Sequence, residues 1–578
     1  MFQQPPVIHF VPEQDACHCG DQLGVMKTRK KTVLCLTGPF IAHETVYKCP
    51  SCFQIFVSDA LLLLVPSRCN VAYDVLVFVG QALFQRYRTI EEVRIELLVT
   101  HNLRISASEV GYLGRKFIMY LAIGHRLATP RIRENMKRQG GYILHLDATH
   151  DGEAPALMTS IDSISKIVLE NVKLPSEHTD YVVPFLSKIQ SVYGNPIACV
   201  HDMGLGICKA VTVVFPGVPD FICHFHFLRD IGKDFMEPAY KVLRNALRKH
   251  SASTQLHALV RDMRSNLSDD AALIPPLSDA INGVNFLENS DLLPVAAAYS
   301  LALWALQGKK SGDGYGFPFD RTLLEFTDRL LELSRRLPEL LAQSSVDKRL
   351  NYKPLARLAK IVSVISNDSE ICQAVEELHW RGMQFDRLRE VMRIAPVDGG
   401  DGLNDDGTPQ IIATIREGVE LFRKGLDSDP ILVPDKLCRK MATQIDKYSK
   451  QLFADPIEVK TADGTVLIYP QRTNNILEQF FRGMRSGHRR KTGNNSMSRV
   501  LQTMLADTPL VKNLDNQEYI KIFLNGKATL EELFAEIAAY VPTCKEDNNE
   551  LETGIILPGF RKLINLKNLP VHVANLFA

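Results

Sequence analysis

Between residues 139 and 230 the chain leaves helical periodicity for short β-like runs, and two of those runs end on an aspartate. The runs are YILHLDA, SKIVLENVKL, PIACVHD and PDFICHFHF, with a helical stretch at 180–193. Strands alternating with a helix imply an α/β layer. In the first run Tyr142, Leu144 and Leu146 fall on one face, and His145 and Asp147 on the other. Asp202 closes the strand at residues 197–200 in the same manner. Aspartate is disfavoured inside a hydrophobic strand, so its presence asks for a reason. Strand ends in α/β sheets are where sites are built. Two carboxylates brought together there repel unless one is protonated or a divalent cation neutralises both. Singly, each aspartate reads as an ordinary strand-end residue; the combination with a third acid points to metal-dependent chemistry.

That third acid lies in RTNNILEQFFRGMR at 472–485. Asn474 or Asn475 can cap a helix here, with Leu477, Phe481 and Met484 on its buried face. Glu478, Arg482, Arg485 and Arg489 share a different face by helical spacing. One carboxylate followed by a basic ladder suits a metal and then a run of phosphates, and GHRRKTG at 487–493, including Arg490, extends the positive charge. Glu417 and Glu458 are rival acids without the Asn-Asn cap or the ladder, and Asp151 and Asp162 are spare acids near the first strand.

Upstream, Cys17 and Cys19 precede Cys49 and Cys52 across a stretch poor in helical periodicity. Closely spaced cysteines at both ends of a β-rich segment are the layout of a zinc ribbon, in which four soft ligands hold tetrahedral Zn²⁺. The first pair is tight, which leaves His18 as an alternative to one cysteine. Next come two capping boxes, Thr89-Ile-Glu-Glu92 and Ser106-Ala-Ser-Glu109, around a polar turn at 101–104. Val110, Leu113, Phe117 and Leu121 stripe the second helix, so Tyr112, Arg115 and Lys116 are expected to face outward. This fits a helix-turn-helix, with Arg115 and Lys116 as DNA contacts. A plain helical bundle is the competing reading.

Helical patterns fill 233–455, broken by the acidic Gly-rich stretch 398–407, which reads as an exposed loop. Residues 456–470 read as a hairpin turning at Asp463-Gly464, and 529–541 as one helix in the tail. Trp304 and Trp380 read as core residues. The predicted domains are therefore a ribbon at 1–66, a helix-turn-helix domain at 67–138, the first part of an α/β core at 139–235, an all-helical insertion at 236–455, the closing part of the core at 456–509, and a tail at 510–578. A length of 578 residues accommodates them, and the +1 net charge neither requires nor excludes a nucleic-acid partner. No apolar run is long enough for a membrane span, and the N-terminus lacks a signal-peptide layout. A cytoplasmic, nucleoid-associated protein with reduced thiols is expected; Cys35, Cys69, Cys372, Cys438 and Cys544 then read as packing residues.

On LHLDATHDG, VHDMG and TNNILEQFFRGMR the chain resembles the DDE-type transposases of bacterial insertion sequences, near the Mutator-like and related groups. The resemblance covers the organisation of most of the chain. It implies an RNase H-like catalytic core interrupted by a large all-α insertion and preceded by the zinc ribbon and helix-turn-helix domains. It implies Asp147, Asp202 and Glu478 as catalytic ligands of two Mg²⁺ or Mn²⁺ ions, with Arg482, Arg485, Arg489 and Arg490 on DNA phosphates. A fourth match, Cys223-His-Phe-His226, implies a structural or DNA-positioning role; as a zinc pair it lacks evident further ligands. The partners implied are double-stranded DNA (terminal inverted repeats and target) and a second subunit on that DNA. An RNase H-like endonuclease without strand transfer, or a domesticated, DNA-binding descendant, are the alternatives. The departure from the family pattern is the long gap between Asp202 and Glu478.

Overall fold

A computed structural model describes residues 5–267, 282, 293–344, 351–395, 409–461 and 464–540. The expected acidic loop at 398–407, the turn residue Asp463 and Cys544 lie outside the described residues. The chain is mixed α/β and mostly helical. It divides into two compact units, one from Met1–Pro130 with the segment after Leu510, the other from Arg131–Pro509.

The first unit opens with a small sheet. Strands β1 (Val7–Phe10), β2 (Gly24–Val33), β3 (Phe40–Lys48) and β4 (Ile55–Phe56) pair around β3. Helices Tyr73–Phe84 and Ile90–His101 follow, and then helix Ala107–Arg138, which belongs to this unit as far as Pro130. The Thr89–Glu92 capping box forms as the sequence predicts, and Asn102 turns the chain in the left-handed region at φ 53°. Val110, Leu113, Phe117 and Leu121 are all buried. Arg115 and Tyr112 are exposed as expected, but Lys116 is not: it is half-buried, its Nζ 3.5 Å from Cys69 Sγ and 5.6 Å over the Tyr120 ring. An apolar stripe flanked by tyrosines draws its long stem inward. From the tail, helices Gln517–Leu524 and Leu530–Tyr540 return to this unit; Tyr519 Oη lies 3.0 Å from His125 Nδ1, and Phe534 packs edge-on to Phe117. The sequence reading anticipates only the second of these helices.

The second unit is built on a five-stranded sheet. Its strands are β5 (Ile143–Thr149), β6 (Ala156–Asp162), β7 (Ile167–Leu174), β8 (Ala198–His201) and β9 (Asp220–Ile222), in the order β7-β6-β5-β8-β9. β5, β6 and β7 are antiparallel neighbours, while β8 and β9 run parallel to β5. Strand β6 is missing from the sequence reading, because it is buried on both faces and shows no alternation. The expected run PDFICHFHF is only partly a strand: β9 stops at Ile222, and helix His224–Lys249 starts after Cys223. That helix seeds the large helical core, which takes in Phe227, Phe235, Leu330, Leu358, Phe385 and Ile445. Trp380 packs on that core, but Trp304 is 41% exposed with the Arg329 guanidinium 5.1 Å over its ring, contrary to the expected burial. Among the described residues, no helix is long and apolar enough to cross a membrane.

The chain returns to the sheet through a hairpin, β10 (Ile457–Thr461) and β11 (Gly464–Ile468), and then helix Asn475–Thr492. Ile457 and Ile468 close over Ile143, Ala198 and Val200 of the sheet. Beyond the helix, Met497 and Leu501 pack with Met484 against Leu157 of β6. The helix is thus held from both ends beside β5.

Candidate functional site

Parallel pairing of β5 with β8 sets the first two acids side by side. The register matches Leu146 with His201, so Asp147 and Asp202 are the next residues of adjacent strands. Asp147 is 9% exposed, and its Oδ1 accepts from the Ala148 N–H at 2.8 Å. Burial, and then the neighbouring Asp202 and Glu478 carboxylates, push its carboxyl up to about 8. Asp202 Oδ1 accepts from the Gly204 N–H at 3.0 Å, which turns the carboxylate at the mouth of helix Leu205–Val214.

Glu478 sits in the first turn of helix Asn475–Thr492. Asn474 fixes that helix start, and it is fully buried. Its Nδ2 donates to the Leu146 carbonyl at 2.7 Å, its Oδ1 lies 3.0 Å from His145 Nδ1, and its N–H donates to Cys223 Sγ at 3.2 Å. Burial pulls His145 down to about 4, so it is neutral at pH 7 and can donate from Nδ1. Asn474 therefore acts less as a helix cap, since its side chain caps nothing, than as a clamp between β5 and the Cys223 turn. The same turn is tied by Cys223 N–H to the His201 carbonyl at 2.7 Å and by His224 N–H to the Arg472 carbonyl at 2.9 Å.

The compact cluster containing Glu478 is not with the two aspartates. Among the described residues, Cys223, His226 and Glu478 have ligand atoms all within 4.8 Å of one another. His226 Nε2 stands 3.6 Å from Glu478 Oε1. Burial lowers His226 to about 4 and raises the Cys223 thiol to about 12. The sequence places Cys223 and His226 nearby only by resemblance; nothing in it brings Glu478 to them.

Two further groups at the site escape the sequence reading. Glu177, at the turn before helix Thr179–Tyr193, is raised by burial and then by Asp202. It and Asp202 flank the same glycine: a Cβ on Gly204 would lie 3.0 Å from Asp202 Oδ1 and 3.7 Å from Glu177 Oε2. His201 is buried, with Nε2 2.6 Å from Asp220 Oδ1 and Nδ1 2.6 Å from the Asp202 carbonyl. Burial opposes its charge, but the Asp220 carboxylate prevails and raises it to about 10.

The other acids are accounted for structurally. Asp162 is fully buried and accepts from Ser165, Ile164 and Ile143. Asp151 accepts from Ser496 Oγ and the Met497 N–H. Glu417 and Glu458 are exposed. Arg482, Arg485, Arg489 and Arg490 are all exposed, with Arg485 also reaching back to Thr149 Oγ1 at 2.8 Å; among the described residues none of the four pairs with a carboxylate.

In the first unit the four predicted cysteines converge. Cys17 and Cys52 sulfurs lie 3.3 Å apart, Cys19 and Cys49 sulfurs 3.4 Å apart, and all four atoms are within 4.8 Å of one another. The Cys52 backbone N–H, directed at its sulfur, helps pull the Cys49 thiol down to about 6. The cluster can bind a metal such as zinc, and it uses both Cys17 and Cys19 rather than His18.

No protein-family model matches the sequence, and no curated protein matches it.

Proposed function

We propose that this chain is a DDE-type transposase, cutting and joining DNA strands at the ends of a mobile element. The observation that carries the reading is the register of β5 with β8, which sets Asp147 beside Asp202, with Glu478 delivered by a helix clamped to the same strand. A sheet of three antiparallel strands continued by two parallel ones, with one acid within its first strand and another just after its fourth in chain order, supports the RNase H-like core that the sequence resemblance implies. The donor set fits hard divalent cations. Asp147 is held protonated to about pH 8 by burial and its acidic neighbours, which marks a site short of positive charge.

Mg²⁺ or Mn²⁺ bound by Asp147, Asp202 and Glu478 would activate water or a 3′-hydroxyl and stabilise the leaving 3′-oxygen. The chain's own part is positioning. Asn474 ties the start of the Glu478 helix to β5, and exposed Arg482, Arg489 and Arg490 continue along that helix as phosphate contacts. The cysteine cluster and the helices Ile90–His101 and Ala107–Arg138 would recognise terminal repeats, with Arg115 as the exposed contact. The test is cleavage and strand transfer on DNA carrying the element's own ends, with Mg²⁺ or Mn²⁺. The native protein should cleave and join, while Glu478→Gln binds the same DNA and does neither. Equal behaviour of the two proteins refutes the enzymatic reading. Cleavage without joining would leave the endonuclease reading in its place.

A further inference from the structure

We infer that Cys223, His226 and Glu478 form a second transition-metal site, selective for Zn²⁺ over Mg²⁺, that is separate from the N-terminal cysteine cluster. Three observations converge on it. Cys223 and His226 are the N-cap and third residue of helix His224–Lys249, so they share one face of one turn. Glu478 comes from the first turn of a second helix. The ligand atoms of all three lie within 4.8 Å of one another.

The contacts inside the cluster are those of ligands rather than of hydrogen-bonded partners. His226 is 7% exposed, and neither of its ring nitrogens makes a hydrogen bond among the described residues. Its Nε2 is 3.6 Å from Glu478 Oε1, too long for a hydrogen bond. Two nitrogen or oxygen ligands at about 2.0–2.2 Å from one tetrahedral zinc stand roughly 3.3–3.6 Å apart, which matches that separation. Cys223 sulfur already accepts the Asn474 N–H at 3.2 Å, a contact that steadies a metal thiolate from outside the ligand shell. One thiolate, one imidazole and one carboxylate select Zn²⁺, because Mg²⁺ prefers oxygen ligands alone. Glu478 is the least buried of the three and forms the open side, where water can complete the shell.

Glu478 is then a shared ligand. Resting on the function proposed above, Zn²⁺ here would hold it away from Asp147 and Asp202 and so inhibit the Mg²⁺-dependent reaction.

The test counts metal and needs neither DNA nor activity, so it stands or falls apart from that function. Full-length protein saturated with Zn²⁺ and desalted should carry two zinc ions per chain, and Cys223→Ser and His226→Gln one. Glu478→Gln, altering a partly exposed side chain, keeps the buried turn intact and should weaken the second site at least tenfold. With the weaker zinc removed from both proteins, Co²⁺ should give less of the thiolate–cobalt absorption near the ultraviolet edge in Glu478→Gln than in native protein. A single zinc in the native chain, or two retained in both Cys223→Ser and His226→Gln, overturns the site.

Discussion

Neutralising Asp147 should stabilise the second unit, and more so as pH rises. Its carboxyl is held at about 8 against an ordinary value of 3.8, with burial the main cause and Asp202 the next. Between those values the folded chain keeps a proton that the unfolded chain has released. The proton's stabilising contribution is complete below pH 4 and is lost as pH rises through 8. The limiting slope is about 1.4 kcal/mol per pH unit. Over a shift of about four units the ceiling is on the order of 5 kcal/mol, and relaxation plus water entry reduce the working figure to about 2–3 kcal/mol. Asp147→Asn keeps the shape and never ionises. In EDTA its advantage over the native protein should widen by about 2–3 kcal/mol between pH 5 and pH 8.5, several degrees in Tm. Both tryptophans, Trp304 and Trp380, lie in the second unit, so intrinsic fluorescence follows that unit's melting alone. Millimolar Mg²⁺ should close the gap by raising only the native protein. Parallel Tm-versus-pH curves for the two proteins would refute the reasoning, because the buried charge would then cost nothing.

Asn474→Ala leaves His145 Nδ1 and the Leu146 carbonyl unpaired in a buried site, at a cost of about 2–3 kcal/mol; fluorescence-monitored urea unfolding should show it, together with a fall in cleavage while DNA binding persists. Cys49→Ser should open residues 7–56 to trypsin and leave the tryptophan-monitored melt unchanged, since the four sulfurs belong to the other unit. The double substitution Arg489→Ala with Arg490→Ala should lower the slope of log K against log salt for DNA by about 2, without changing sequence preference. An unchanged slope would remove both arginines from the interface.

The sequence was most legible where local rules act alone. The Thr89 capping box, the buried stripe Val110–Leu113–Phe117–Leu121 and the convergence of four cysteines all follow from short spacings. The placement of Asp202 just after its strand was also readable, because an aspartate after a hydrophobic run stands out, whereas Asp147 lies inside β5, which runs on to Thr149 rather than ending at the acid. What escaped was set by tertiary burial. Strand β6 is covered on both faces and has no period of two to read. Lys116 turns inward to Cys69, a partner 47 residues away. The meeting of Cys223 with the Asn474–Glu478 turn joins residues 251 apart in the chain, and no local pattern announces it.

That meeting also answers the difficulty posed by the long gap between Asp202 and Glu478. A flexible excursion of that length would leave the third acid weakly placed, because closing a longer loop costs more entropy. Among the described residues the excursion is packed helix. It leaves the sheet through helix His224–Lys249, whose Phe227 and Phe235 enter the helical core, and it returns at Arg472. Both ends are pinned at one point. His224 N–H donates to the Arg472 carbonyl, His224 Nε2 contacts the Leu452 carbonyl, and Arg472 Nη1 reaches the Met392 carbonyl at 3.2 Å. The helical core thus does the work of a short linker: it carries the ordering cost in its own packing and presents residues 472–474 to the sheet as a fixed edge. A substitution deep in that core, far from any acid, should therefore reach the site only by loosening this clamp, and Glu478 is the acid it would displace.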